Sequence, residues 1–438
     1  MPADLQARAE QAVEILRAAG ADDAWANATQ SRNVEFTYRD GQLEKVQDAT
    51  ARLLTVQVYA NGRYSRQQTT DLSPDRLGGF LGEAVAITSA LQADPERQLT
   101  PADLFANRPE VDLDLVDSAV QALDRRQRLS WCQAMDDSAR RQEQVISATS
   151  VVYDGTRTEA SASSNGFSGT QESTYCWLGA SVTLRDRGER RAVDGFSAGA
   201  PHVADIPDAA AIAGIALARA LARLDVTRGP TTRSTMVVDS RAAVELISRL
   251  LAPANARSVQ QGRSFWAGIM GEEAFSPALT IVDDPLIVRG LGSRYYDREG
   301  ISSEVLPIVE KGMVKNIYVD TYYGRKAGLA PTTGSPSNRR IECGEQSLAE
   351  LLHEAGEGVY VTSWLGGNAD GASGNFSLGL RGHLIENGKI GRPVGEMNVT
   401  GNLRALFARL EALGNEPYAY STTLAPSLVF SDVDFSGA

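Results

Sequence analysis

Leu54-Thr55-Val56-Gln57-Val58-Tyr59-Ala60-Asn61-Gly62 alternates apolar and polar residues and then stops on Asn-Gly. Period-two alternation is the mark of a strand with one buried face. Asn-Gly suits a two-residue hairpin turn, because both residues tolerate positive φ. Upstream, Val34, Phe36 and Tyr38 make a second alternating face, and a hairpin pattern runs from Asp40-Gly41 to Tyr64. A curled antiparallel sheet is expected. Leu5, Ala9, Ala12, Ile15, Leu16 and Ala19 recur at helical spacing before it, with Gly20 as the stop. Pro74 opens a second helix through Leu77, Leu81, Val85 and Leu91. Both helices are expected on one face of the sheet.

Farther along, Pro95, Pro101 and Pro109 mark a linker between Gln92 and Asp112. Helical sequence from Leu113 to Gln142 then leads to a stretch from Val145 to Ser164 read as a hairpin around Asp154-Gly155. Cys176, Leu178, Ala180, Val182 and Leu184 share one face of a strand, and an alanine-rich helix spans Asp208 to Leu224. Helix, hairpin, strand and helix thus occur twice, which suggests a duplicated α+β unit. After Gly229-Pro230 come more glycines and shorter strands: Met236 to Val238, a hairpin from Val305 to Tyr318 around Lys311-Gly312, and Asn375 to Ile385 before Asn387-Gly388. The expected class is α+β, with antiparallel sheets covered by helices on one face. The expected units are residues 1–110, 111–228 and a sheet-rich 229–438.

Composition narrows function. In 438 residues, 42% are hydrophobic, enough for two or three cores, and the formal net charge of −12 argues against direct binding of nucleic acid. Neither a leader-like start nor an 18-residue apolar run is present, so a cytoplasmic protein with no membrane segment is expected. Cys132, Cys176 and Cys343 lie far apart without CxxC spacing and read as buried thiols.

Catalytic candidates are sparse. His202, His353 and His383 are the only histidines, and no two have zincin spacing. His353-Glu354 precedes Gly356 and Gly358, which marks a surface helix end. Gly195-Phe196-Ser197-Ala198-Gly199 fits the G-x-S-x-G pattern, but Pro201 and Pro207 oppose the helix that a nucleophile elbow needs. A loop of small residues is the expectation there. Gly366 to Asn375 lacks the Walker lysine and reads as a flexible loop where another backbone could approach, making Gly366, Gly367, Ser373 and Asn375 candidate peptide-binding positions. Glu272-Glu273 and Asp283-Asp284 read as solvated turns.

Tyr295-Tyr296-Asp297-Arg298-Glu299-Gly300, Val309-Glu310-Lys311-Gly312-Met313-Val314-Lys315-Asn316, Asp320-Thr321-Tyr322, Gly374-Asn375-Phe376-Ser377, Ile385-Glu386-Asn387-Gly388-Lys389-Ile390 and Gly401-Asn402-Leu403 follow one another in the order of a known family. From about residue 230 onward the chain resembles the TldD/TldE family, whose TldE subunit is also called PmbA. The resemblance implies a two-subunit peptidase in which TldD alone carries H-E-x-x-x-H and a distant cysteine as zinc ligands. Laid on this chain, the motif falls on Ser248, Arg249 and Pro253, and the cysteine near Thr422 or Thr423; none can replace those ligands. The resemblance therefore implies a TldE-type subunit with no cofactor of its own. Its expected partner is a zinc-bearing TldD-type subunit, in whose absence the chain could pair with itself, and its expected ligand is an extended peptide. The other readings are a serine hydrolase acting through Ser197 and a non-enzymatic peptide-binding or regulatory protein.

Overall fold

The computed structural model describes residues 2–437. The amino-terminal half comprises α1 (Pro2–Ala18), β1 (Asp23–Arg39), β2 (Gln42–Ala60), β3 (Arg63–Thr69) and α2 (Pro74–Ser89), then α3 (Ser118–Ala122), α4 (Arg125–Ala139), β4 (Val145–Ser163), β5 (Ser168–Arg185), β6 (Arg191–Ala200) and α5 (Ala209–Leu221). The six strands form one antiparallel sheet in the order β3-β2-β1-β4-β5-β6. Each half contributes a three-strand meander flanked by helices. The two meanders meet along β1 and β4, which pair from Trp25–Ser163 to Arg39–Thr149, so the sheet is continuous across residue 110.

Strand parity explains the helix arrangement. Even-numbered residues of β1 all point to one face: Ala24, Ala26 and Ala28 pack under α1 and α2, and Val34, Phe36 and Tyr38 pack under α4 and α5. Alanines lie where Ala9 and Ala12 of α1 come close; larger side chains fill the other end. Between the two cores the same face turns polar, and Arg32 bridges to Asp48 at 2.7 and 3.1 Å. The Asp40-Gly41 and Asn61-Gly62 turns have positive φ at both residues, as expected of type I′ hairpins.

Asp154-Gly155 is not a turn. Both residues lie inside β4, opposite Val34 and Asn33 on one side and Cys176 and Tyr175 on the other. Gly155 is required by the close approach of the Arg32 carbonyl and the Tyr175 hydroxyl, which leave no room for a Cβ. Asp154 is required by Arg128 of α4, which grips it with two hydrogen bonds of 2.6 and 2.7 Å in the core.

The carboxy-terminal half contains β7 (Thr227–Arg228), β8 (Thr232–Val238), α6 (Ser240–Leu251), α7 (Ala256–Gln260), β9 (Ile281–Asp283), β10 (Leu306–Glu310), β11 (Met313–Val314), α8 (Thr321–Ala327), β12 (Arg339–Ile341), α9 (Leu348–Ala355), β13 (Gly358–Ala369), β14 (Asn375–Glu386), β15 (Lys389–Asn402), α10 (Leu403–Ala408), β16 (Leu410–Leu413), β17 (Thr423–Leu424) and β18 (Leu428–Ser436). Strands β18, β8, β13, β14 and β15 pair in succession, and β15 pairs back onto β18, closing a small barrel. Most pairings are antiparallel, but β8–β13, β7–β15 and β12–β17 run parallel. A second sheet has the order β11-β10-β9-β12-β17. The main core lies among α6, the barrel and this sheet, with Trp266, Phe407 and Phe430 among its largest buried side chains.

Candidate functional site

Helices cover only the even face of the large sheet. At one end of the odd face, Trp25 and Asn27 of β1, Thr55, Gln57 and Tyr59 of β2, Tyr64 and Arg66 of β3, and Arg157, Glu159 and Ser161 of β4 look toward the carboxy-terminal half. Opposite them stand Tyr295 to Gly300 and the start of α8, and the two walls enclose a polar cavity of about 350 Å³. Tyr59 and Tyr64 are cross-strand partners, and both hydroxyls donate to Gln57 Oε1, at 3.3 and 3.2 Å. Arg97 from the connecting segment lies over the Tyr322 ring at 3.4 Å and the Tyr64 ring at 4.8 Å, tying the two walls together.

The Asp297–Gly300 loop is built by its first residue. Asp297 Oδ1 accepts from the backbone N–H of Glu299 and Ile301, and Oδ2 accepts from Gly334 N and Thr333 Oγ1, at 2.8 to 3.1 Å. Through these four hydrogen bonds Asp297 organises the loop. Glu299 is held differently: its carboxylate accepts from Thr321 N at 2.9 Å and Thr321 Oγ1 at 3.1 Å and has no ion pair among the described residues. Burial, and then the charges of Asp297 and Asp320, push its pKa up to about 7 despite those two hydrogen bonds. Glu299 can therefore gain or lose a proton near neutral pH. Tyr296, buried beside it, has a hydroxyl without a hydrogen-bond partner. Gly300 at φ +83° presses against Phe167 and Trp25 of the sheet, where a Cβ would lie 2.7 to 2.8 Å from their rings.

A second cavity, about 560 Å³, opens at the carboxy-terminal end of α6; Arg298 and Asp320 line both cavities. The positions on which the zinc motif falls are close by in the chain or fold but are not among the residues lining it. Helix α6 buries Leu246, Ile247, Leu250 and Leu251. Ser248 donates back to the Val244 carbonyl at 2.7 Å, and Arg249 pairs with Glu245 at 2.6 Å. Pro253 follows the helix, and its carbonyl accepts from Ser264 Oγ at 2.6 Å. The Thr422 carbonyl accepts from Arg339 N at 2.7 Å, while Thr423, fully buried in β17, packs beside α6. The fold thus brings α6 and the Thr422–Thr423 segment together.

Gly366, Gly367, Ser373 and Asn375 occupy the β13–β14 hairpin rather than one long loop. Strand β13 continues through Gly366 and Gly367 with a bulge, and the turn is confined to residues 370–374. Asp370 organises it by accepting from Ala372 N and from the Ser373 N and Oγ. The hairpin reaches the segment that carries Arg263 of the second cavity: Phe265 N donates to the Gly371 carbonyl, and a Cβ at Gly371 would lie 3.3 Å from the Arg263 carbonyl.

Several expectations are corrected. Gly195 to Gly199 is neither loop nor elbow; it lies in β6, with Ser197 opposite Gly179. The buried histidines are engaged elsewhere: His202 bonds the Asp114 carbonyl, and His383 bonds the Ala222 carbonyl. His353 is an exposed residue in the last turn of α9, as expected. Asp283 is no solvated turn; it is buried and accepts from Tyr318 Oη at 2.8 Å and from Ser337. Cys132 and Cys176 are buried with pKa pushed up to about 12 by desolvation, whereas Cys343 is exposed. Arg97, Arg257, Arg263 and Arg339 carry no local sequence pattern and become visible as cavity residues only in three dimensions.

A sheet and a barrel domain facing each other across a polar cavity define a two-part architecture with metallopeptidase relatives. Family models match residues 119–224 as the PmbA/TldA metallopeptidase central domain and residues 231–437 as the PmbA/TldA metallopeptidase C-terminal domain. The chain belongs to the PmbA/TldD family. It is 25% identical to metalloprotease PmbA of Escherichia coli O157:H7 over 95% of this chain and 92% of that protein. A crystal structure of a candidate modulator of DNA gyrase from Bacteroides thetaiotaomicron superposes with a TM-score of 0.95 at 33% identity, covering 99% and 98% of the two chains. TldE from Thermococcus kodakarensis shares the fold, with a TM-score of 0.87 at 17% identity over 98% of this chain and all of that one.

Proposed function

We propose that this chain is a metal-free, TldE-type subunit of a two-subunit metallopeptidase, binding an extended peptide and positioning it for a zinc-bearing TldD-type partner. One observation carries this reading. The positions on which the family's zinc motif falls hold a hydroxyl bonded to its own helix, a guanidinium paired with Glu245, a proline and a buried threonine. That set does not fit a zinc ion, which takes neutral imidazole, thiolate or carboxylate. Among the described residues no group of three or more His, Cys, Asp or Glu could hold a metal.

Peptide positioning is supported by the cavities. Their walls supply tyrosine hydroxyls, guanidinium groups and a carboxyl titrating near neutrality, a mixture suited to main-chain polar groups and termini. The chain's own role would be to bind and orient, with the partner supplying the hydrolytic centre. Among the described residues, no helix is long and apolar enough to cross a membrane.

The test is hydrolysis of an unstructured peptide by the purified chain alone, with zinc, and mixed with a TldD-type partner. Activity is expected only in the mixture and is expected to be abolished by a chelator. Chelator-resistant hydrolysis by the chain alone would overturn the proposal.

A further inference from the structure

Four arginines without an ion pair among the described residues gather where a cavity opens at the end of α6. Arg257, Arg263, Arg298 and Arg339 line its 560 Å³ together with one acidic residue, Asp320. In a chain with net charge −12, carboxylates are plentiful, and several arginines elsewhere are paired with them: Arg249 with Glu245, Arg289 with Asp114 and Arg128 with Asp154. None of the four has an ion pair among the described residues. Arg298 donates to the Gly334 carbonyl at 3.0 Å, and side-chain hydrogen bonds from the other three are absent among those residues. Asp320 is already engaged, capping α8 by accepting from Tyr323 N at 2.6 Å.

Arg339 adds a second, independent sign. Its Nε is closed to solvent and has no partner among the described residues, so a ligand in the cavity would meet the outer nitrogens of the guanidinium. Strand β12 fixes its backbone between β9 and β17. A planar guanidinium on a rigid element is organised for an oxyanion, which it can bind through two parallel hydrogen bonds. Arg298 extends this cavity into the sheet-facing one, so a chain lying across the first would bring its end to the second.

We propose that the cavity at the end of α6 is an oxyanion subsite that takes the terminal carboxylate of an extended peptide. This rests on the peptide-positioning reading above. Free phosphate offers the same chemistry, so the experiment must separate the two.

Calorimetry on the full chain would use three probes: an unstructured peptide of about ten residues with a free carboxyl terminus, the same peptide as its terminal amide, and inorganic phosphate. The acid is expected to bind about tenfold or more tighter than the amide. Phosphate is expected to compete with the acid, and Arg339→Gln to erase the preference without erasing amide binding. Arg263→Gln, on a loop, serves if Arg339→Gln fails to fold, as judged by thermal unfolding. Equal affinity for acid and amide would overturn the subsite while leaving peptide positioning intact. Phosphate binding without peptide binding would overturn the subsite and assign the arginines to free anions. Failure of both peptides to bind, with no stimulation of a TldD-type partner, would remove both proposals together.

Discussion

Asp154 shows how a single residue can invert a local reading. Asp-Gly between apolar runs is a strong hairpin signal, yet here the pair sits mid-strand because Arg128, 26 positions away, needs a buried carboxylate. No local pattern records a long-range ion pair. Replacing Arg128 with Met would leave Asp154 charged and unpartnered in the core, so a loss of about 3–5 kcal/mol is expected in denaturant unfolding. Adding Asp154→Leu should recover much of it. Glu299 makes a pH-dependent prediction. Below about pH 4.5 its carboxyl is protonated whether the chain is folded or not; between 4.5 and 7 the unfolded chain releases the proton first, so stability falls as pH rises, and the penalty is complete above 7. Glu299→Gln can keep both contacts to Thr321 and should remove a penalty of about 1–2 kcal/mol at pH 8 while changing little at pH 4. Thermal unfolding at both pH values reads this directly.

Among elements, alternation and turn chemistry were legible, and lengths were not. The type I′ hairpins at Asp40-Gly41 and Asn61-Gly62 and the turns at Lys311-Gly312 and Asn387-Gly388 all fall where the residues place them. Strands β4 and β13 run longer than their patterns suggest, because Gly155, Gly366 and Gly367 interrupt the alternation where backbone, tyrosine or a bulge requires it. The Asp297–Gly300 loop depends on such a glycine. Gly300→Ala faces both positive φ and the Phe167 and Trp25 rings, and should cost about 2–4 kcal/mol in thermal unfolding. Gly41→Ala, at φ +84° with open space around it, should cost only about 1 kcal/mol. Comparable losses for the two would mean that the loop is not wedged against the sheet.

For the whole molecule, the α+β class and the helix-covered face followed from residue periodicity, and the family from motifs in order. The cavities did not, because each is assembled from segments far apart in the chain, such as Arg97 with Tyr322 and Arg257 with Arg339. Sequence offers no register between surfaces that meet only after folding. The closed barrel extends this dependence to synthesis. Strand β8, complete by Val238, must wait for residues 428–436 to supply its neighbour, whereas the six-stranded sheet has all its strands once residue 200 is made. On the ribosome the first half can settle early. The barrel's ring stays open through some 190 further residues, leaving the apolar strands Met236–Val238 and Val359–Val361 in need of shelter until the last strand arrives.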